Sequence, residues 1–440
     1  MKLFSVLLGL SVIVLGTSTL FAKENEVQGN LTDKQNVSQL EARLTDLEET
    51  KNSVDKLKKI NFSGYVQAQF RYAPDTAGLT DSDYGNRYDV GTFQGGSFPD
   101  ATKSLFDIRR ARVKISYASD LSKMVLQFDG KPTGASIKDA YLQFTEPFLK
   151  SISLKGGHFN RPFGFEISYS SSKRESPERS RLFQTIFAGE RDLGLSLEYS
   201  PSGDLPKVAR LFNFKGGVFA GNGLNKEYDD VRDFMGRVGI SVPVANQNLS
   251  VDGGISGYAG AVRSLNDTLF TVEDGEWVST EGNNRKEIDR QYLGYDLQLT
   301  YGNVPIFGGV TLRGEYVHGR QPAGAESTAS LKKGAPSGNP LYIRNFSGYY
   351  AMGILDIAPI NSKLVAKYDV YLPNNEINQS DKGIADMTYT TIGGGLVYQL
   401  DENIRFWAYY DRIRNEAVNA SPFSTDVNDN VFTFRIQYKY

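Results

Sequence analysis

Basic side chains occupy alternate positions in FDIRRARVKISY, residues 106–117: Arg110, Arg112 and Lys114. If this segment is extended, the three cations share one face, and Ala111, Val113 and Ile115 share the other. A column of fixed positive charge in a narrow, water-filled space with low-dielectric walls concentrates small anions. Arginine suits an oxyanion because its planar fork donates paired hydrogen bonds, and serine hydroxyls can add more. A second basic cluster lies in residues 161–191. There Arg161, Lys173, Arg174, Arg179, Arg181 and Arg191 accompany Glu166, Glu175, Glu178 and Glu190, six cations against four acids for a net +2. Ser171 and Ser172 precede Lys173 and Arg174, while Arg71 and Lys155 fall on the polar faces of other alternating runs. The candidate substrate-binding residues are therefore Arg71, Arg110, Arg112, Lys114, Lys155, Arg161, Ser171, Ser172, Lys173, Arg174, Arg179 and Arg181. Acids hold comparable positions (Asp129, Asp139, Glu198, Asp296, Glu315 and Asp411), and Arg313 is expected to pair with Glu315. Facing basic and acidic arrays also suit an unselective passage, so anion preference and general permeation both stand.

Catalysis is the rival chemistry. Two histidines are present, His158 and His318, and neither has a serine or aspartate at a recognisable catalytic spacing. Cysteine is absent, which removes disulfides and thiolate metal sites. The glycines of GGVFAGNG precede no helix and so do not read as a phosphate-cradling loop. No cofactor, metal or enzymatic activity is expected. A net charge of −2 carries no nucleic-acid footprint.

These side chains must be positioned by strands. The final ten residues, VFTFRIQYKY, alternate Phe432, Phe434, Ile436, Tyr438 and Tyr440 with Thr433, Arg435, Gln437 and Lys439. Similar runs occur at 62–72, 109–117, 192–200 and 292–301, and further strands are expected near 122–130, 137–146, 151–158, 208–220, 232–242, 248–258, 306–318, 346–357, 362–371, 386–400 and 403–412. The total is sixteen. Tight links near Asp120, Pro147, Gln247, Gly302, Pro359 and Asp401 alternate with long ones at 73–103, 159–190, 259–290, 319–345 and 413–429. That alternation is what an all-β, transmembrane antiparallel barrel requires, with short turns on one side of the membrane and loops on the other. The apolar faces would meet outer-membrane lipid and the polar faces would line a lumen. The last strand must pair with the first to leave no open edge.

The first 22 residues read as a signal peptide, with Lys2, an apolar run from Leu3 to Leu15, then small residues. Residues 23–60 read as a periplasmic linker and a heptad helix, since Val37, Leu40, Leu44, Leu47 and Val54 follow a 3-4-3 spacing and then a full heptad. Such a helix either packs on its own barrel or forms a short parallel coiled coil between protomers. Lys51 and Lys58 interrupt the stripe and favour the second reading. The barrel domain is then 61–440.

FDIRRARVKISY (106–117), KDAYLQF (138–144), LKGGHFNRPFGFE (154–166), AGERDLGLSLEYS (188–200) and GGVFAGNG (216–223) together resemble the phosphate-selective porin O and P family. The resemblance implies a sixteen-stranded trimeric barrel in the bacterial outer membrane, with an inward-folded third loop and a basic, serine-bearing constriction that takes small anions such as phosphate. It aligns the double-arginine motif with Arg109 and Arg110, and Arg109 is expected outside strict pleating. The loop interior, SYSSSKRESPERSR (168–181), departs from the family pattern and yields no ligand by homology. The C-terminal aromatic strand resembles the sorting signal read by the outer-membrane assembly machinery. A plugged or adhesive barrel is the remaining alternative.

Overall fold

The computed structural model describes residues 32–73, 90–99, 102–131, 134–227, 229–244, 248–329, 338–420, 423–427 and 429–440. The signal peptide expected over 1–22 lies outside them. The chain divides into two units, Met1–Lys59 and Ile60–Tyr440. In the first, α1 (Thr32–Lys58) is a single helix, free of Pro and Gly, with Leu40, Leu44, Leu47 and Leu57 all exposed.

The second unit contains β1 (Ile60–Tyr72), β2 (Ser104–Ala118), β3 (Ser122–Lys131), β4 (Gly134–Thr145), β5 (Ile152–Asn160), β6 (Arg191–Tyr199), β7 (Phe212–Phe219), β8 (Asp233–Val244) and β9 (Leu249–Arg263). It continues with β10 (Leu269–Glu273), β11 (Glu276–Thr280), β12 (Glu287–Val304), β13 (Gly308–Ala323), β14 (Leu341–Ile357), β15 (Ser362–Leu372), β16 (Tyr389–Gln399), β17 (Ile404–Asn415) and β18 (Val431–Lys439). β10 and β11 pair with each other as a hairpin inside the loop between β9 and β12, and β10 touches the start of β14. The other sixteen strands pair antiparallel with their sequence neighbours, and β9 pairs directly with β12. β18 closes the cylinder on β1, with Val66 opposite Tyr438 and Phe70 opposite Phe434. The sixteen-stranded barrel expected from the alternation is the fold that forms.

The pleat sorts the side chains. On β1, Gln67, Gln69 and Arg71 are buried inside the cylinder, while Phe62 and Val66 are exposed on its outer face. Outward Phe106 packs sideways on Phe70 of β1 and stays 84 % exposed, a face for bilayer hydrocarbon to cover. Closure leaves no strand edge unpaired, as the hydrocarbon demands.

Two expectations need correction. The loop expected at 259–290 is shorter, because β9 runs on to Arg263 and β12 begins at Glu287, and what remains carries the β10–β11 hairpin. The β3–β4 link, on the long-loop side, is only 132–133. On the opposite side the turns are tight, except that the β6–β7 link runs over 200–211 and carries a 3-10 turn at Ala209–Leu211. At the β4–β5 turn, Glu146 accepts the backbone N–H groups of Phe148, Leu149 and Ser151 at 2.8, 2.9 and 2.8 Å. Those donors, Ser151 foremost, hold its carboxyl below the usual range.

Candidate functional site: the inward loop and the lumen wall

Between β5 and β6 the chain turns into the barrel. Arg161 donates to Asp192 at 3.2 Å at the loop's base, and Gly164 makes the turn with φ 59, a conformation in which a side chain is strained. The loop is amphipathic in its own way. Phe163, Ile167, Leu182, Phe183, Ile186 and Phe187 form one apolar cluster with inward-facing Tyr258, Tyr292, Phe346, Tyr350 and Tyr371 of the wall. Each such side chain contributes about 1.5–3 kcal/mol on burial. A short helix, α2 (Arg181–Ile186), carries part of that surface.

The polar side of the loop is pinned by carboxylates and arginines. Glu315 of β13 accepts the N–H of Phe165 at 2.7 Å and of Glu166 at 2.6 Å, together with the Tyr350 hydroxyl at 2.7 Å. Asp369 of β15 accepts the N–H of Arg181 at 2.9 Å. Glu166 accepts the N–H and hydroxyl of Ser180, and Arg179 donates to the carbonyls of Glu166, Ile167 and Tyr169, which ties the two limbs together. Arg179 also pairs with Glu190. On the far side, Glu178 meets Arg109 and Arg110 of β2 and Arg435 of β18. The pairing expected between Arg313 and Glu315 does not form. Arg313 reaches Glu175 at 3.2 Å and stacks on Phe165 and Tyr169, because Glu315 is committed to loop backbone.

The candidate residues fall into two groups. Arg71 pairs with Asp107 at 2.9 Å and lies over the Phe98 ring. Arg110 donates to Gln67 and Glu178, and Arg112 reaches Asp129 at 3.2 Å, the Tyr65 hydroxyl and Ser171 Oγ. Ser171 also meets Tyr65 at 2.5 Å, and the Ser172 carbonyl accepts from Gln437 at 3.2 Å. Arg181 sits between the rings of Phe93 and Tyr389. Arg174 is buried, and its guanidinium meets no hydrogen-bond partner among the described residues. Apart from Arg71, whose partners belong to β2 and the β1–β2 connection, these residues, with Arg161 and Arg179, lie where the loop meets itself or the wall, whereas Lys173 is exposed. Buried, paired charges of this kind are costly to separate.

Lys114 and Lys155 belong to the second group, at or beside a wall that shares the loop's apolar cluster through Phe159, Phe219 and Met235 but not its polar bonds. Among the described residues no hydrogen bond or ion pair joins the loop, 162–189, to β3, β4, β5, β7 or β8; the loop's bonds go to β1, β2, β6, β9, β13, β15, β17 and β18 and to the β1–β2 connection at Phe93. Inward positions there carry Lys123, Lys155, Lys215 and Arg237, beside Lys114 of β2. Lys155 pairs with Glu198 at 2.6 Å and lies near the Tyr141 and Phe159 rings, and Arg237 pairs with Asp296 at 2.6 Å. Lys114, Lys123 and Lys215 have no ion pair among the described residues.

Lys123, Lys215 and Arg237 were missed as candidates, and so were Arg435 and the glutamines at 67, 69 and 437. Alternation alone would have placed all of them inside. Arg109 faces inward beside Arg110 because it is the extra residue of a β-bulge: Gln67 opposes Arg110, yet Ala68 opposes Ile108.

A closed, lipid-faced cylinder with a polar lumen narrowed by an inserted loop defines an outer-membrane diffusion channel of the porin class. The chain belongs to the family Phosphate-selective porin O and P, whose profile it matches over residues 81–440. Membership in a family of channels settles the enzyme alternative. Similar solved structures include the outer membrane channel DcaP of Acinetobacter baumannii, at 14% identity and TM-score 0.51 over 87% of this chain and 97% of that one. They also include an anion-selective porin from Comamonas acidovorans and OmpT of Vibrio cholerae in a trimer form. Each of these two is 13% identical, with TM-score 0.50 over 87% of this chain and 99% of its own. At these identities the likeness is one of fold. No curated protein sequence matches this chain.

Proposed function

We propose that this porin passes small hydrophilic solutes passively and favours anions, phosphate among them. The observation that carries the reading is the set of three lysines without an ion pair among the described residues: Lys123 and Lys215, on strands to which the inward loop makes no polar bond, and Lys114 beside them on β2. With Lys155 and Arg237 they make a basic lane in which the four lysines lie nearer the short-turn ends of their strands, while Glu198 and Asp296 are the acids paired within it. Positive charge on a low-dielectric wall raises the local anion concentration, and lysine releases an ion more readily than a fixed bidentate fork. Lys114 and Lys155 are the pore-lining members of the original candidates. Arg110, Arg112, Arg161, Arg179, Arg181, Ser171 and Ser172 shape the constriction by holding the loop, Arg71 braces β1 against β2 and the first loop beside it, Lys173 is exposed and Arg174 is a buried charge within the loop. Family membership and the named anion selectivity of the Comamonas relative support this reading. Inward-facing Asp252, bonded to Ser241 and Ser250, favours the alternative of a general porin.

The chain is further inferred to assemble as a homotrimer, as the trimer form of OmpT does, with α1 in the periplasm as a coiled coil between protomers. The exposed Leu40, Leu44 and Leu47 support that assignment. Tyr440, at the end of β18, would present the aromatic terminus to the assembly machinery.

The test is the triple variant K114Q/K123Q/K215Q in planar bilayers under a KCl gradient. The chloride-to-potassium permeability ratio is expected to fall at least about fourfold, since each unit charge acts on anion and cation with opposite sign. An unchanged ratio refutes the lane.

A further inference from the structure

Three guanidiniums converge on one carboxylate inside the barrel. Glu178 accepts from Arg109 Nε at 2.8 Å and Nη2 at 2.9 Å, from Arg110 Nη2 at 2.7 Å and from Arg435 Nη2 at 2.7 Å. The arginines all come from the wall, on β2 and β18, the two neighbours of β1. Wall glutamines orient two of them, and Arg435 Nη1 also donates to the Pro177 carbonyl of the loop at 2.7 Å. Gln67 Oε1 accepts from Arg110 at 2.9 Å, and Gln69 Oε1 accepts from Arg435 at 3.0 Å. The bulge at Arg109 is what brings two consecutive arginines to the same face. A rigid group of forked donors is the arrangement that binds a carboxylate or a phosphoryl oxyanion. Here the inward loop supplies the anion.

We propose that Glu178 is a tethered anion that fills an oxyanion site built by the barrel wall, and that it sets the selectivity of the constriction. It cancels one of three positive charges and takes the acceptor position that a solute anion would otherwise hold. This rests on the reading of the chain as an anion-favouring channel. The arginines therefore act as loop anchors, and the lysine lane is left to handle the solute. Glutamine at 178 keeps the shape but carries no charge, and one end of it offers N–H donors to donors. The local balance moves from three cations and one anion to three cations alone. The rest of the loop stays seated, because Glu315 and Asp369 hold it from other strands.

The experiment compares full-length wild type, E178D, E178Q and E178Q/R109Q in planar bilayers, with a KCl gradient and with inorganic phosphate titrated into the bath. E178Q is expected to raise the chloride-to-potassium permeability ratio about fourfold, the effect of one unit charge roughly 10 Å from the ion path in water. It should also lower the phosphate concentration for half-block. E178D keeps the carboxylate and should stay at wild-type values. E178Q/R109Q restores the charge balance and should bring the ratio back. Wild-type selectivity and phosphate block in E178Q overturn the proposal. If E178Q fails to assemble, the double variant decides: recovery of assembly with a wild-type ratio supports the proposal, and continued failure overturns it. A cation-selective wild type refutes the underlying reading instead, whatever the variants do.

Discussion

Glu315→Gln should unlatch the start of the inward loop while the barrel stays assembled. Both oxygens of Glu315 are in use: one takes the Phe165 N–H at 2.7 Å, the other takes the Glu166 N–H at 2.6 Å and the Tyr350 hydroxyl at 2.7 Å. Glutamine keeps one acceptor oxygen and turns an NH2 toward a donor, whichever way the amide is rotated. One hydrogen bond to a carboxylate, worth about 1.5–3 kcal/mol, is lost, and a buried donor is left without an acceptor. A total of about 2–4 kcal/mol follows. At 1.4 kcal/mol per decade, the ratio of seated to lifted loop falls roughly 30- to 700-fold. The remaining anchors at Asp369 and Glu178 confine the movement to residues near Gly164–Tyr169. The assay is single-channel recording beside limited proteolysis of the folded protein. The variant should show larger open-state noise and new cleavage within 161–175, with the folded barrel retained on unheated gels. Quiet, wild-type traces and full protection would refute the latch.

Two further outcomes follow from features outside the membrane. Burial works to raise the Glu416 carboxyl, but Lys382 and the Thr388 N–H outweigh it and leave it below its ordinary value. A depressed carboxylate stabilises the fold above its unfolded value and stops doing so as pH falls through the folded one. The loop packing around Met387, Tyr389 and Phe423 should therefore loosen on acidification below the usual carboxylate range, read as faster proteolysis of 416–430, and should not loosen on alkalinisation. A synthetic peptide of residues 32–58 should sediment as an oligomer, and L44N should return it to monomer; a monomeric wild-type peptide would contradict the coiled coil.

The wall was legible in the sequence because a one-residue slip in an alternating strand exchanges its two faces, so the pattern must be strict wherever lipid is on one side. The sixteen strands and the closure of β18 on β1 follow from that rule. Bulges defeat it. Arg109 and Arg110 both face inward only because β2 carries an extra residue, and the pattern of alternate residues holds no sign of which of the two is extra. The β10–β11 hairpin was hidden for a different reason: two five-residue strands in a loop carry too few alternations to stand apart from their surroundings. The basic character of the lumen was legible, but the partition of its charges was not. Glu178 and Arg435 are far apart in the chain and meet only through the inward fold of the loop. Counting cations against acids in 161–191 could therefore give a net charge without showing which arginines are already neutralised.

The central claim is that the unbound wall sector gives a lumen with an excess of accessible positive charge. Its most direct test is the zero-current potential of the wild-type channel in a planar bilayer under a tenfold KCl gradient. The potential should take the sign set by chloride and move toward the chloride equilibrium value as salt is lowered and screening weakens. A potential of the opposite sign, or no conductance from a correctly folded barrel, would contradict it.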